Sequence, residues 1–256
     1  MQNDIRAEAA QCYDVNPTIP DDIAFYQARL PSSDASVLEL GCGTGRGLLP
    51  LSASCGFIYG IDRSQAMLAH CLQKLQAAAI PPSQARVEHG DITDFALGQR
   101  FALIIAPYRV FQLLETEVQV DGLFQCVHTH LAPGGTCILN VFHPQGGFEG
   151  VQQEWGSATE VCRWEVTVDG VRLRCDERRL HLDPERHILY PELVYRRYVG
   201  GVWIADAVLK IPRRCYAPDA FEHVIHAHGF RIVQRWGGYA GERYGEGPEL
   251  VVQFSE

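Results

Sequence analysis

Two rhythms of apolar positions divide this chain. Up to about residue 142, short apolar runs alternate with stripes of helical spacing. Val37, Leu38 and Leu40 form a β-prone run, and further strands are predicted over 57–62, 85–89 and 101–106. The run 101–106 (Phe-Ala-Leu-Ile-Ile-Ala) is apolar throughout, as a central strand buried on both faces requires. Between these lie helices over roughly 46–54, over 64–78 with Met67, Leu68, Leu72 and Leu75 on one stripe, and over 118–130. Upstream, Asp21-Asp22 caps a short helix through about Leu30 carrying Ile23, Phe25 and Tyr26. Leu131-Ala-Pro-Gly-Gly turns the chain into a fifth strand, 136–142.

From 144 to 214 the rhythm changes to period two. Alternating segments meet at Asp169-Gly170, a two-residue hairpin signal, then at 183–186 and at Gly200-Gly201. Pro191 marks an edge strand or a bulge. Three or four antiparallel strands are thus inserted in one place. A lid or substrate platform is the favoured use, and an oligomer interface the alternative. Its arginines (Arg172, Arg174, Arg178, Arg179, Arg196 and Arg197) read as the solvated face of a sheet. The last segment returns to a helix from Pro218 and two strands, 231–236 and 249–254. The fold class expected is α/β: a Rossmann-like doubly wound sheet of about seven strands, the last antiparallel, in a single domain (1–256) with an antiparallel β insertion (144–214).

Composition narrows the function classes. With 22 Lys and Arg against 31 Asp and Glu, the net charge of −9 favours a small-molecule partner over a nucleic-acid backbone. No apolar run reaches the ~18 residues of a membrane span. The opening Met-Gln-Asn-Asp-Ile-Arg-Ala-Glu lacks the apolar centre of a signal peptide. Nine cysteines with no C-x-x-C pair or Cys/His metal spacing read as reduced thiols in the cytoplasm, with no metal site.

The candidate chemistry gathers at the ends of the first strands. Gly41, Gly43 and Gly45 remove side chains where a strand must turn sharply and approach a ligand. The spacing is neither a dinucleotide G-x-G-x-x-G, since Arg46 and Leu48 stand at the third-glycine positions, nor a Walker loop. Asp62, 21 positions beyond Gly41 at the end of a strand, suits a ribose diol; its alternative is an N-cap, which Ser64 can also provide.

Taken in order, E-L-G-C-G-T-G-R-G (39–47), G-I-D-R-S (60–64), G-D-I-T-D-F (90–95), A-P-Y-R-V-F-Q (106–112) and L-A-P-G-G (131–135) resemble the class I S-adenosylmethionine (SAM)-dependent methyltransferases. The late β-rich insertion is similar to that of small-molecule members such as glycine and amino-sugar N-methyltransferases. The resemblance implies SAM as cofactor and methyl transfer to N or O of a small metabolite, with a non-catalytic SAM-binding protein as the alternative and a homo-oligomer open. It implies that Glu39, Gly41, Cys42, Gly43, Gly45, Asp62, Arg63, Met67 and Ala106 lie along the cofactor. It also implies that Asp91 accepts from the adenine amine, or else only shapes the polar turn of its D-x-T-D string, while Ile92 packs on the ring, and that Tyr13 closes on the methionine end or serves only as a packing aromatic. Beyond the fourth strand, Tyr108 and Phe111 are placed to flank the sulfonium. Arg109 is placed to bind a substrate anion or to face water at a helix start. His143 is the best-placed histidine should a base be needed, or else simply opens the following loop. No N/D-P-P-Y/F motif is present, which disfavours methylation of bases or glutamine amides.

Overall fold

The computed structural model describes residues 9–144, 146–155 and 160–256; the reading of segment 1–8 lies outside them. Seven strands form the main sheet: β1 (Ser36–Leu40), β2 (Phe57–Asp62), β3 (Ala85–His89), β4 (Phe101–Ala106), β5 (Leu131–Phe142), β11 (Arg231–Trp236) and β12 (Glu249–Ser255). Their order is β11-β12-β5-β4-β1-β2-β3, with β12 antiparallel to both neighbours and β1 to β5 parallel. The strand order reverses between β1 and β4, so a crevice opens beyond their carboxyl ends.

Period-two alternation in β1 and β4 builds two cores at once. Leu38, Leu40, Ile104 and Ala106 face one side, where α5 (Glu117–His130) brings Val120, Leu123, Phe124 and Val127, and α7 (Pro218–Ala227) brings Phe221 and Ile225. Val37, Leu103 and Ile105 face the other, against α2 (Ile23–Gln27), α3 (Leu48–Ser52) and α4 (Gln65–Ala77). Ser64 caps α4 through Met67 N–H at 3.2 Å, and Thr116 and Gln119 form a capping box on α5. Asp22 stands at the N-cap of α2 as expected, but its side chain does not cap; both its oxygens are taken by Arg46, at 2.5 and 2.9 Å.

The insertion is richer than its alternation predicts. A helix, α6 (Gly147–Trp155), precedes β6 (Val161–Val168), β7 (Val171–Asp183), β8 (Ile188–Val199), β9 (Val202–Lys210) and the short β10 (Arg213–Arg214). Asp169-Gly170 and Gly200-Gly201 turn with positive φ at both residues, the handedness that matches strand twist. Of the two readings of Pro191, the bulge holds: β8 is a central strand paired with β7, β9 and β10, and its register shifts opposite, between Arg179 and His181. One face of this sheet, with Trp164, Cys175, Tyr195 and Leu209, packs on Ala9 and Cys12 at α1 (Ala10–Tyr13). The N-terminal segment thereby lies between the insertion and the main sheet, which it grips through Asp14 to Thr44 Oγ1 (2.5 Å) and Lys74 Nζ (2.8 Å).

Candidate active site

At the end of β1 the chain turns through Gly41, Gly43 and Gly45, all at positive φ. Each glycine has a different reason. A Cβ on Gly41 would lie 2.6 Å from Val110, and one on Gly45 would lie 2.5 Å from both Cys71 Sγ and Leu49. A Cβ on Gly43 would meet nothing closer than 4.0 Å, so this residue opens onto empty space. Gly43 N–H donates to Asp62 Oδ2 and Ser64 N–H to Oδ1, both at 2.8 Å. These two bonds fix the buried carboxylate at the end of β2, each oxygen keeping a further lone pair.

A cleft of about 500 Å³ runs from here over Gly41, Asp62, Arg63, Gly90, Asp91, Ile92 and Thr93. Asp91 Oδ1 is held by Thr93 N–H at 2.9 Å and Thr93 Oγ1 at 2.7 Å, a local turn that steadies its carboxylate at the mouth. The cleft shares Gly41, Val110 and Leu113 with a larger one of about 1280 Å³. That second space is walled by Gly43, Met67, Tyr13 and Tyr108 from the main-sheet side, and by Arg163, Trp164, Tyr195 and Arg213 from the insertion. Tyr13 meets Tyr108 edge to face with ring centres 6.2 Å apart.

Tyr108 and Arg109 are consecutive non-glycine residues at positive φ (55° and 68°), a costly conformation beside the switch point. A closed ring of hydrogen bonds holds it. Arg109 N–H donates to Asn140 Oδ1 (3.1 Å), Asn140 Nδ2 donates to Glu249 Oε2 (3.0 Å), and Arg109 Nε donates to Glu249 Oε1 (2.9 Å). Asn140 and Glu249 are buried, so the ring is shielded from water. Glu249 keeps the Arg109 guanidinium charged against the cost of burial. Gln112 adds a second clamp, donating to Arg214 C=O and accepting from Phe142 N–H, both at 2.7 Å.

Several expected residues sit elsewhere. Phe111 turns into the core against Phe124, Tyr216 and Phe221, the one residue of the 3-10 turn Val110–Leu113 that does not line the cleft. Val110, Gln112 and Leu113 take the cleft positions instead. His143 follows β5 beside Pro248, whose carbonyl accepts its N–H, and its ring does not wall either cleft. Cys42 points inward, where a Cβ on Gly60 would lie 2.7 Å from its sulfur. Gly45 packs on α4 and Ala106 lies in the core at the end of β4. Glu39 is buried under the loop against Gly47, with one oxygen unpartnered among the described residues. Burial, with Asp22 and Asp62 adding and Arg46 opposing, pushes its carboxyl up to about 8. Arg163 and Arg213 were missed because nothing along the chain sets them apart from the other insertion arginines, five of which (Arg172, Arg174, Arg178, Arg179 and Arg196) pair with carboxylates.

The strand order and the cleft at its switch point define a Rossmann-like fold of the class I methyltransferase kind. Residues 37–135 match the family model described as a methyltransferase domain. It is 29% identical over 118 residues to the dTDP-3-amino-3,6-dideoxy-alpha-D-glucopyranose N,N-dimethyltransferase of Streptomyces fradiae. That match covers 46% of this chain and 44% of that protein, so the aligned stretch spans less than half the length of this relative. The fold is similar to an S-adenosylmethionine-dependent methyltransferase from Clostridium acetobutylicum (TM-score 0.76, 16% identity, 97% of both chains). It is also similar to the CcbJ methyltransferase from Streptomyces caelestis (TM-score 0.73, 23% identity, 96% of this chain and 94% of that one).

Proposed function

We propose that this chain is a SAM-dependent methyltransferase acting on a nitrogen of a small metabolite. The observation that carries this reading is one continuous cleft, with Asp62 and Asp91 at one end and the Tyr13–Tyr108 pair at the other. Asp62 offers free lone pairs to a ribose diol, Asp91 to the adenine amine, and Ile92 an apolar face to the ring. Gly43 leaves the space that a methionine chain needs beside Met67. SAM supplies a methyl group already activated on a sulfonium. The chain's part is to align donor and acceptor and exclude water. Tyr13 and Tyr108 present aromatic surface to the positive sulfur.

Nitrogen is favoured over oxygen for two reasons. Among the described residues walling the larger cleft, none is His, Asp, Glu or Lys, so a hydroxyl acceptor would find no carboxylate or imidazole base. An amine arriving neutral needs none. The relative from Streptomyces fradiae is named as an N,N-dimethyltransferase. The insertion then acts as the acceptor's platform and the N-terminal segment as a cover. A reducing, cytoplasmic setting is supported by nine unpaired cysteines, eight of them buried. No helix among the described residues is long and apolar enough to cross a membrane.

Calorimetric titration with SAM tests the reading. Wild type should bind, and Asp62→Ala should bind roughly 100-fold more weakly, about 2.7 kcal/mol, by losing charge-assisted bonds to ligand and loop. Binding to the wild type unaffected by Asp62→Ala would overturn the site assignment. Transfer of label from methyl-labelled SAM to amines and not to matched alcohols would support nitrogen.

A further inference from the structure

We infer that the acceptor carries an anionic group, a carboxylate or a phosphate, and that Arg163 and Arg213 of the insertion bind it. This rests on the methyltransferase reading for where the cofactor lies. The observation is one of charge. In a chain with nine more acids than bases, the larger cleft is walled by three arginines, Arg109, Arg163 and Arg213, and by no acidic residue among those described. The three differ in how well they are neutralised. Arg109 is committed to Glu249. Arg213 lies 3.3 Å from Glu177, but that carboxylate also takes Arg179 at 2.9 Å. Arg163 forms no hydrogen bond or ion pair among the described residues, although Glu165, on the same strand, is bound by Arg172.

Arg172, Arg174, Arg178, Arg179 and Arg196 each have a carboxylate partner. The excess of positive charge therefore concentrates where the sheet faces the cleft. Arg213 is half-buried and repelled by both Arg109 and Arg163, a cost that an incoming anion would relieve. Trp164, Leu193 and Leu209 line the same wall and lower the local dielectric, which strengthens any ion pair formed there. Guanidinium groups suit planar carboxylates and phosphate oxygens, which they bind through paired N–H donors. Arg213 is also well supported, since Gln112 holds the carbonyl of its neighbour Arg214 at 2.7 Å.

The test uses three amines of matched length: β-alanine, O-phosphoethanolamine and ethanolamine, which end in a carboxylate, a phosphate and a neutral hydroxyl. Each is titrated calorimetrically into the full chain, alone and saturated with S-adenosylhomocysteine, so that the cofactor's own carboxylate is already in place. At least one anionic amine should bind tenfold or more tightly than ethanolamine, and the preferred one identifies the anion. Arg163→Gln and Arg213→Gln should each remove most of that advantage while leaving S-adenosylhomocysteine affinity within twofold. Arg172→Gln, outside the cleft, should change neither, and thermal melts of all variants report folding.

Equal binding of ethanolamine, silence of all three amines in protein that binds S-adenosylhomocysteine, or an anion preference surviving both cleft substitutions would overturn the subsite. A tenfold loss of S-adenosylhomocysteine binding in Arg163→Gln would also overturn it, by assigning the arginines to the cofactor. Arginine-dependent binding of the anionic amines to a chain that binds no S-adenosylhomocysteine would overturn the cofactor reading and uphold the anion site.

Discussion

The two sheets carry charge in opposite ways. Around the main sheet, several polar groups are buried with dedicated partners: Asp22 at the cap of α2 with Arg46, Glu249 with Arg109 and Asn140, Asp62 with two backbone amides. In the insertion, charges lie in rows along strand faces and share partners. Arg196 alone reaches Glu160, Asp176 and Asp206. Glu160 is held down to about 2 by Arg196 and Arg178, yet it is a surface group. The difference teaches where a single substitution matters. A buried pair fails when one member goes, because the other remains desolvated and unpaired. A shared network redistributes where its members are exposed, as at Arg172 and Glu165, and less so around buried Asp176 and Glu177.

The largest effect is expected at Arg46→Ala. Removing this guanidinium strands fully buried Asp22 and should cost about 3–5 kcal/mol of stability, read by urea unfolding; a loss below 1 kcal/mol would mean water reaches Asp22 freely. Next comes Glu39→Gln. The wild-type carboxyl keeps its proton to about pH 8 when folded, against an ordinary value of 4.5 when unfolded. Between those two values the unfolded chain gives up the proton first, so wild-type stability falls as pH rises. The variant lacks that term. Its advantage over wild type should grow by a few kcal/mol from pH 4.5 to 8 and stay constant beyond either limit. Unfolding curves across that range check this, and a gap independent of pH would refute the buried neutral carboxyl.

Asn140→Ala sharpens the contrast within the site. It opens the ring holding the Tyr108–Arg109 turn while touching nothing at the ribose end. Transfer should slow about tenfold with SAM affinity within twofold, as misplacement without loss of cofactor contacts requires. Steady-state kinetics beside calorimetry separates the two quantities. Smallest of all, Arg172→Ala in the exposed network should change stability by less than about 0.5 kcal/mol in thermal melts.

Much of this molecule is legible from local chemistry. The strands 57–62, 85–89 and 101–106 occur as read, and both glycine-bearing hairpins of the insertion turn where Asp169-Gly170 and Gly200-Gly201 stand. The fold and the cleft residues beyond the first strands were readable because a buried central strand such as 101–106 is apolar throughout and the residues that line the crevice follow the strand ends directly. The insertion's side of the cleft was not. Helix α6 lies in a stretch read only for strands, and the fifth strand starts at Leu131 because the Pro-Gly-Gly turn is absorbed as a bulged extension paired to Phe101. Phe111, expected at the cleft, lies in the core while Gln112 lines the cleft, because one turn of 3-10 helix decides which neighbour enters it.

By itself, then, the sequence determined the α/β class of the fold, the position of the glycine turn and the placing of Asp62 and Asp91 at or just beyond strand ends. Those depend on residues close together along the chain. Only the tertiary structure decided which arginines of a uniformly alternating insertion face the cleft, that Asp22 serves Arg46 instead of a helix end, and that Asn140 and Glu249 lock the strained turn at Tyr108. Period-two alternation divides a strand into two faces, but what covers each face is settled by packing against elements over a hundred residues away, as Glu249 and Arg109 are.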